Sequence, residues 1–370
     1  MISRLFGFDP ARPQFYPRGL NLQVHGLRGL AALLVFVFHI YGMATVAGFW
    51  PAAAVESWGF MYFGRHAVEL FFIISGYLIA GSVQRHGDAR LFLIDRCIRI
   101  YPVFLAIHLI VFALGPPLHY KWMSGIAPAA WARAFVENAL FLPGLFDLPL
   151  AQLNAWSLSY EAGFYLLCAA VWAVGRRLGR GAGWAVLVAA TVPLLCLYPK
   201  AAYFLVGAAI QFLKPRLGLG TPAWLRLTSP LWLAAMLTVA TVNETAPLNM
   251  YLGCLPGFLF FWCILDGGCA VSAVLRWRVL QYLGTISYSF YLWSALVTFP
   301  LKRAIALYQP DPSGSWGAVV LFAALALPLS LVAAHLSFVW LEERAGQALR
   351  RALRRRQAPA LAAAWPTKRR

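Results

Sequence analysis

An all-α polytopic membrane protein, a bundle of about ten transmembrane helices with both termini in the cytoplasm, is the fold this sequence predicts. Three observations carry that reading. Hydrophobic residues make up 61% of the 370 and charged residues only 12%, where a soluble domain carries roughly 25% charged residues. The mean hydropathy of +0.68 is too high, over this length, for a globular core that still leaves a wettable surface. The Lys and Arg residues cluster between apolar runs, 24 on one side and 5 on the other, which is the asymmetry that marks cytoplasmic loops.

A spanning helix needs about 20 apolar residues for a hydrocarbon core about 30 Å thick. Candidate runs lie near 24–46, 60–83, 101–118, 156–174, 183–198, 199–213, 229–246, 251–270, 280–301 and 316–341. The first carries Arg28 and His39 and has no small-residue cleavage signal, so it reads as a retained helix rather than a signal peptide. The stretch 138–153 is apolar but broken by Pro143, Gly144, Asp147 and Pro149. It reads as a re-entrant or surface segment, because broken backbone survives at membrane depth only when protein buries it.

Arg4, Arg12 and Arg18 before the first span, the loop arginines from Arg85 to Arg99, three further basic loops and nine residues of the tail share one side. Lys121, Arg133, Lys200, Lys302 and Arg303 share the other. The arrangement requires an even number of spans. It divides the chain into a cytoplasmic segment 1–23, a membrane domain 24–343 and a basic tail 344–370. The tail reads as an amphipathic helix giving way to a disordered end. It either favours anionic inner-leaflet lipid or serves only to anchor the topology. No internal repeat is visible.

The net charge of +18 would suit nucleic acid, but its division into short clusters and a tail, rather than one continuous face, argues against that partner. The six cysteines fall almost entirely inside apolar runs and show neither zinc spacing nor a secreted disulfide framework. No metal site is expected.

Charge at bilayer depth is costly, so each ionisable group there needs a partner or a purpose. Arg28 and His39, eleven residues apart on the first helix, differ by about 20° around the axis and about 16 Å along it. Arg28 then lies near the cytoplasmic end, as a ligand group or a snorkelling anchor. His39 lies near mid-membrane, as a base or as a helix-to-helix hydrogen bonder. Glu69, in the outer half of the second span, can orient the His39 imidazole and favour its charged form. Gly76 in the SGY segment permits close helix packing. Arg96 and Arg99 in RCIRIYP share a face at the cytoplasmic end of the third span, ahead of Pro102 at a helix start. They can grip phosphates bidentately, or be ordinary positive-inside charge. In NAWSLSYEAGFY, Trp156 reads as an interfacial belt residue, and Glu161, one turn inside the fourth span, favours a polar cavity. His108 and His335 read as core hydrogen bonders, His25, Arg65 and His66 as interfacial groups, and Asp266 as facing water at the inner end of its span.

Together these segments resemble the acyltransferase-3 family of membrane acyltransferases. The resemblance is carried by Arg28 and His39 with ten residues between them, VELFFIISGYLI at 68–79, RCIRIYP at 96–102, WSLSYEAGFY at 156–165 and LGTISYSFYLW at 283–293, with YFLVGAAI at 203–210 as a weaker match. It covers most of the chain between about 24 and 341. It implies a bundle of about ten helices in the inner (plasma) membrane. That bundle moves acetyl or another short acyl group from acyl-coenzyme A to hydroxyls of cell-surface polysaccharide, lipopolysaccharide, peptidoglycan or small molecules. His39 takes the family's catalytic position, and Arg96 and Arg99 its cytoplasmic arginine pair. Two departures stand out: Ser294 follows Trp293 where members often have histidine, and only a basic tail follows the membrane region where many members carry an extracytoplasmic domain. A second-stage transfer would therefore need a separate protein.

The expected mechanism keeps the anionic coenzyme at the inner face on Arg28, Arg96 and Arg99. The pantetheine thioester reaches His39, which deprotonates the acceptor or briefly carries the acyl group. Glu69 holds the imidazole, and Glu161 binds the acceptor or helps move a proton. Trp156, Ser157 and Tyr288, inside the matched segments, are assigned to substrate binding. Expected partners are a glycan or other hydroxyl acceptor, membrane lipid, and polysaccharide-assembly proteins or a second copy of the chain. The alternative is a transporter or flippase, which uses buried Arg, His and Glu equally well but in many secondary transporters shows an inverted repeat. A structural scaffold explains the spans and leaves the buried charges unexplained.

Overall fold

Lipid offers backbone amides no hydrogen bonds, so apolar runs of this length satisfy them internally as helix. The computed structural model describes residues 21–51, 54, 59–241, 247–308, 314–353 and 355. Arg4, Arg12, Arg18 and the end of the basic tail from 356 lie outside the described residues. Those described are helix, turn and coil, without a strand.

A helix stands at each of the ten expected places. α1 (Leu22–Val46) starts at Asn21, whose Oδ1 accepts from the Gln23 and Val24 amides. A 3₁₀ stretch (Gly59–His66) leads into α2 (Ala67–Ala80). α3 (Ala89–Leu114) and α5 (Trp156–Leu178) flank a short helix α4 (Pro128–Ala139) that the hydropathy does not mark. There follow α6 (Arg180–Leu197), α7 (Ala202–Leu217), α8 (Ser229–Thr241), α9 (Pro247–Asp266), α10 (Arg278–Tyr308) and α11 (Trp316–Ser337). Seven described helical stretches are long and apolar enough to cross a membrane by length and composition.

Three expectations need correction. α3 begins at Ala89 rather than near 101, because Asp88 caps it by accepting from the Leu91 amide at 2.8 Å. Arg96 and Arg99 therefore stand well inside the helix, and Pro102 lies in its interior instead of opening it. The boundary at 343 is no break either: α11 runs on through a π-helical stretch, Phe338–Ala345, and stays helical to Leu353. His25 and His66 are not interfacial but buried, at 6% and 1% exposure.

The segment 138–153 is broken, as expected, and protein secures it. Asn138 donates to the Pro149 carbonyl at 3.0 Å and accepts from the Ala151 amide at 2.9 Å. Lys121 donates to the Leu150 and Ala151 carbonyls, each at 3.3 Å.

Close helix approach depends on glycine. A Cβ at Gly29 would lie 2.1 Å from the Leu280 carbonyl oxygen, so α1 and α10 pack backbone to backbone. A Cβ at Gly76 would lie 2.0 Å from the Phe204 oxygen, and one at Gly207 1.9 Å from the Ile73 oxygen, which is a reciprocal contact of α2 with α7. Gly207→Ala must push these helices apart. Overpacking of this kind costs typically about 1–3 kcal/mol, so a drop of several degrees in Tm of the detergent-solubilised protein is expected. Gly42→Ala, with nothing within 4 Å of the new Cβ, is expected to leave Tm unchanged.

Candidate active site

Five helices enclose a cavity of about 190 Å³, lined from α1 by Arg28, from α2 by Ser75, from α3 by Arg96 and Arg99, from α5 by Glu161, and from α10 by Tyr288. Phe71, Phe72, Ser157, Tyr165, Ser287 and Tyr291 also contribute. Three guanidinium groups against one carboxylate give the lining a positive surplus, in surroundings where each charge is costly to place.

Each polar group has an identifiable support. The α1–α10 approach at Gly29 sets Arg28 beside Ser287, to whose Oγ it donates at 3.0 Å, and Ser287 donates on to the Gly284 carbonyl at 3.0 Å. Arg96, one residue after Asp95, is ion-paired with it and lies 5.8 Å over the Phe92 ring. Arg99 makes no side-chain hydrogen bond among the described residues, so its donors face the cavity unspent. Glu161 accepts from Ser75 at 3.2 Å and, one turn along its own helix, from the Tyr165 hydroxyl. Tyr288 donates to the Ile100 carbonyl at 2.8 Å, and the Ser157 and Tyr291 hydroxyls meet at 2.9 Å.

The structure thus brings together six of the nine expected residues: Arg28, Arg96, Arg99, Glu161, Ser157 and Tyr288. Trp156 is half-buried rather than a belt residue, packed edge-on against Phe72 and Tyr160 with the Lys200 ammonium 4.8 Å over its ring. His39 and Glu69 are not among the residues lining the cavity. Their expected pairing is not made. Glu69, fully buried in the first turn of α2, meets His66 Nδ1 at 3.4 Å and Lys200 Nζ at 3.3 Å. His66 stands three residues before it on the same face, and Lys200 supplies a full charge, so both bind the carboxylate in preference to His39. His39 Nδ1 is buried with no hydrogen-bond partner among the described residues. An imidazole held in that way is uncommon in a settled core.

Other lone groups are structural. His108 meets the Phe135 carbonyl at 3.2 Å, and Asp266 binds Lys214 at 2.9 Å and the Thr221 hydroxyl at 2.6 Å. Ser294 is buried and donates to the Tyr291 carbonyl of its own helix at 3.1 Å.

Sequence reasoning missed Glu342, on the π-helical stretch, which accepts from the Ser289 amide at 3.2 Å and hydroxyl at 2.6 Å. Its charge and that of Glu161 act on both Arg28 and Arg99. In sequence it sits in LEERAG, at what reads as the end of the last span. Tyr165 was legible in principle, four residues after Glu161.

Among the described residues no group of three or more His, Cys, Asp or Glu side chains could hold a metal. Residues 21–335 match the acyltransferase domain model called Acyl_transf_3. The chain is 26% identical to Peptidoglycan O-acetyltransferase OatA of Listeria monocytogenes, over 88% of this chain and 56% of that protein. It is also 26% identical to Putative peptidoglycan O-acetyltransferase YrhL of Bacillus subtilis, over 72% of this chain and 47% of that protein. A third relative at 26% is Putative membrane-bound transacylase BcsY of Komagataeibacter xylinus, over 75% of this chain and 73% of that protein. The chain thus spans about half the length of the two peptidoglycan relatives. No solved structure matches it.

Proposed function

The chain belongs to this acyltransferase family, and from that premise we propose that it transfers an acyl group, acetyl by the names of its relatives, from cytoplasmic acyl-coenzyme A to a hydroxyl of a cell-surface glycan. The observation that carries the proposal is the cavity with Arg28, Arg96 and Arg99 on its wall, Arg99 making no side-chain hydrogen bond among the described residues.

Size decides how a donor sits. Pockets that enclose a drug-sized ligand run from about 300 to 1,000 Å³, so a cavity of about 190 Å³ takes only a slim part of coenzyme A. The pantetheine arm enters, and the nucleotide and its phosphates stay outside at the arginine end, which the loop charges assign to the cytoplasm. Guanidinium forks suit those phosphates better than ammonium would. The aromatic wall of Phe71, Phe72 and Tyr291 excludes water from the thioester.

Chemically, the acceptor oxygen attacks the thioester carbonyl carbon, the C–S bond breaks, and the hydroxyl proton ends on the departing thiolate. His39 is the group that carries the proton between them, through the imidazole nitrogen left without a partner. Because Glu69 is engaged by His66 and Lys200, its part is to fix the charge balance at the start of α2. Glu161, held by Ser75 and Tyr165, orients the bound thioester or acceptor.

The test uses the purified full chain with acetyl-coenzyme A labelled in the acetyl group and a glycan acceptor, together with mass spectrometry of surface glycans from a strain lacking the protein. Label in ester linkage, with loss of the same ester in the strain, is the expected result. An unchanged glycan profile and no transfer would refute the assignment.

A further inference from the structure

The cytoplasm-assigned rim of the cavity holds a cluster of charge of which the mechanism above uses only Arg96. Arg350 lies on the helical continuation of α11, 255 positions from Asp95 in the chain, and its Nε donates to Asp95 Oδ1 at 3.0 Å. Arg96 pairs with the other oxygen, Oδ2, of the same carboxylate. His86 Nε2 stands 3.8 Å from Oδ2 as well. One carboxylate therefore serves two guanidinium groups and an imidazole, so positive charge is in excess. The donors exceed the acceptors too. Each guanidinium carries five N–H bonds and a carboxylate accepts about four, and Arg96 Nε is buried without a hydrogen-bond partner among the described residues. Arg96 also lines the cavity, whereas Arg350 stays 40% exposed and Asp95 23% exposed. The cluster thus runs from the cavity wall to the partly exposed Arg350 side chain, where it can meet the part of a donor that is too large for the cavity.

We propose that Arg350 and Arg96, joined on Asp95, form a second anion site at the rim of the cavity, which takes a phosphate of the acyl donor in exchange for the Asp95 carboxylate. A phosphate presents three acceptor oxygens where the carboxylate presents two, so the exchange satisfies more of the guanidinium donors. Both Arg350 and Asp95 remain in contact with solvent, so the released carboxylate is hydrated instead of stranded. The site is additional to Arg28 and Arg99, which face the cavity itself. It assigns the last helix a role in donor recognition, since Glu342 on that helix already acts on Arg28 and Arg99.

This inference rests on the acyl-coenzyme A reading, and the experiment separates the two. Arg350→Gln in the full chain is assayed with acetyl-coenzyme A and with S-acetylpantetheine, which has the same thioester arm and no phosphate. KM for acetyl-coenzyme A is expected to rise about 10-fold or more, the value of a hydrogen bond to a charged group, with kcat kept. KM for S-acetylpantetheine is expected not to move, and Arg350→Lys should recover part of the loss. Asp95→Asn, which removes the competitor, should lower KM for acetyl-coenzyme A. Equal changes with both donors would show a structural latch only and overturn the proposal, as would an unchanged KM for acetyl-coenzyme A. Thermal stabilisation by adenosine 3′,5′-bisphosphate reads the site without acyl transfer. Stabilisation of the wild type and not of Arg350→Gln supports the site even where acetyl-coenzyme A proves to be no substrate. Equal stabilisation of both proteins overturns it even where transfer proceeds.

Discussion

Replacing His39 by Ala is expected to lower acyl transfer by about 10²–10⁴-fold, the range that general-base assistance supplies, with normal insertion and an unchanged KM for the donor. The side chain sits on α1, eleven residues beyond Arg28, and its Nδ1 is buried without a hydrogen bond among the described residues. Removing it strands no protein partner, so a structural role predicts little loss of stability and little loss of rate. A catalytic role predicts the large rate effect alone. His39→Gln, which keeps a polar group of similar reach but cannot shuttle a proton near neutral pH, should fail equally. Turnover within a few-fold of wild type in either variant would remove His39 from the chemistry and leave Glu161, which does line the cavity, as the remaining candidate base. The comparison also tests motion. Because His39 is not among the residues lining the cavity in this structure, its participation requires the cavity wall to shift when donor and acceptor bind, as catalytic contacts commonly tighten only in the loaded enzyme.

The second large effect is expected at Arg99. Its guanidinium faces the cavity with no side-chain hydrogen bond among the described residues, and Glu161 and Glu342 are near enough for their charges to act on it. Arg99→Ala should raise KM for acyl-coenzyme A by about 10- to 100-fold, which corresponds to about 1.5–3 kcal/mol for hydrogen bonds to a charged group. The change should be largely in KM, because the phosphates lie far from the reacting carbonyl and are bound alike in ground and transition states. Arg99→Lys should recover only part, since an ammonium cannot bind a phosphate bidentately. Stability of the variant is a second readout, because removing Arg99 relieves repulsion with Arg28 and Arg96 in the shared cavity and also takes a counter-charge from Glu161 and Glu342. Unchanged KM with lowered stability would make Arg99 a structural cation paired to Glu342.

The positions of the helices were legible because lipid imposes one rule on every span: an apolar run must be helical. Where one residue overrides that rule, hydropathy misleads. Asp88 starts α3 twelve residues ahead of its most apolar stretch, and the helix accepts Pro102 in its interior. The cavity's own charges were legible for the same reason that they are costly, since Arg28 has no acidic residue and Glu161 no basic residue within one turn of its own helix. Partners far apart in sequence were not. Glu69 is claimed by Lys200 from 131 positions away, and no local pattern distinguishes that from a pairing with His39. Glu342 was hidden by its place in a charged run that resembles a helix end. Only the π-helical continuation of α11 carries it to Ser289.

The central claim is that an anionic acyl donor enters the cavity from the cytoplasmic, arginine-bearing end. Sealed membrane vesicles of both orientations, each given acetyl-labelled acetyl-coenzyme A on the outside only, test it most directly. Inside-out vesicles are expected to esterify glycan and right-side-out vesicles to remain unlabelled, with the Arg99→Ala protein labelled weakly at low donor. Labelling confined to right-side-out vesicles, or none from acetyl-coenzyme A in either orientation, would contradict the account.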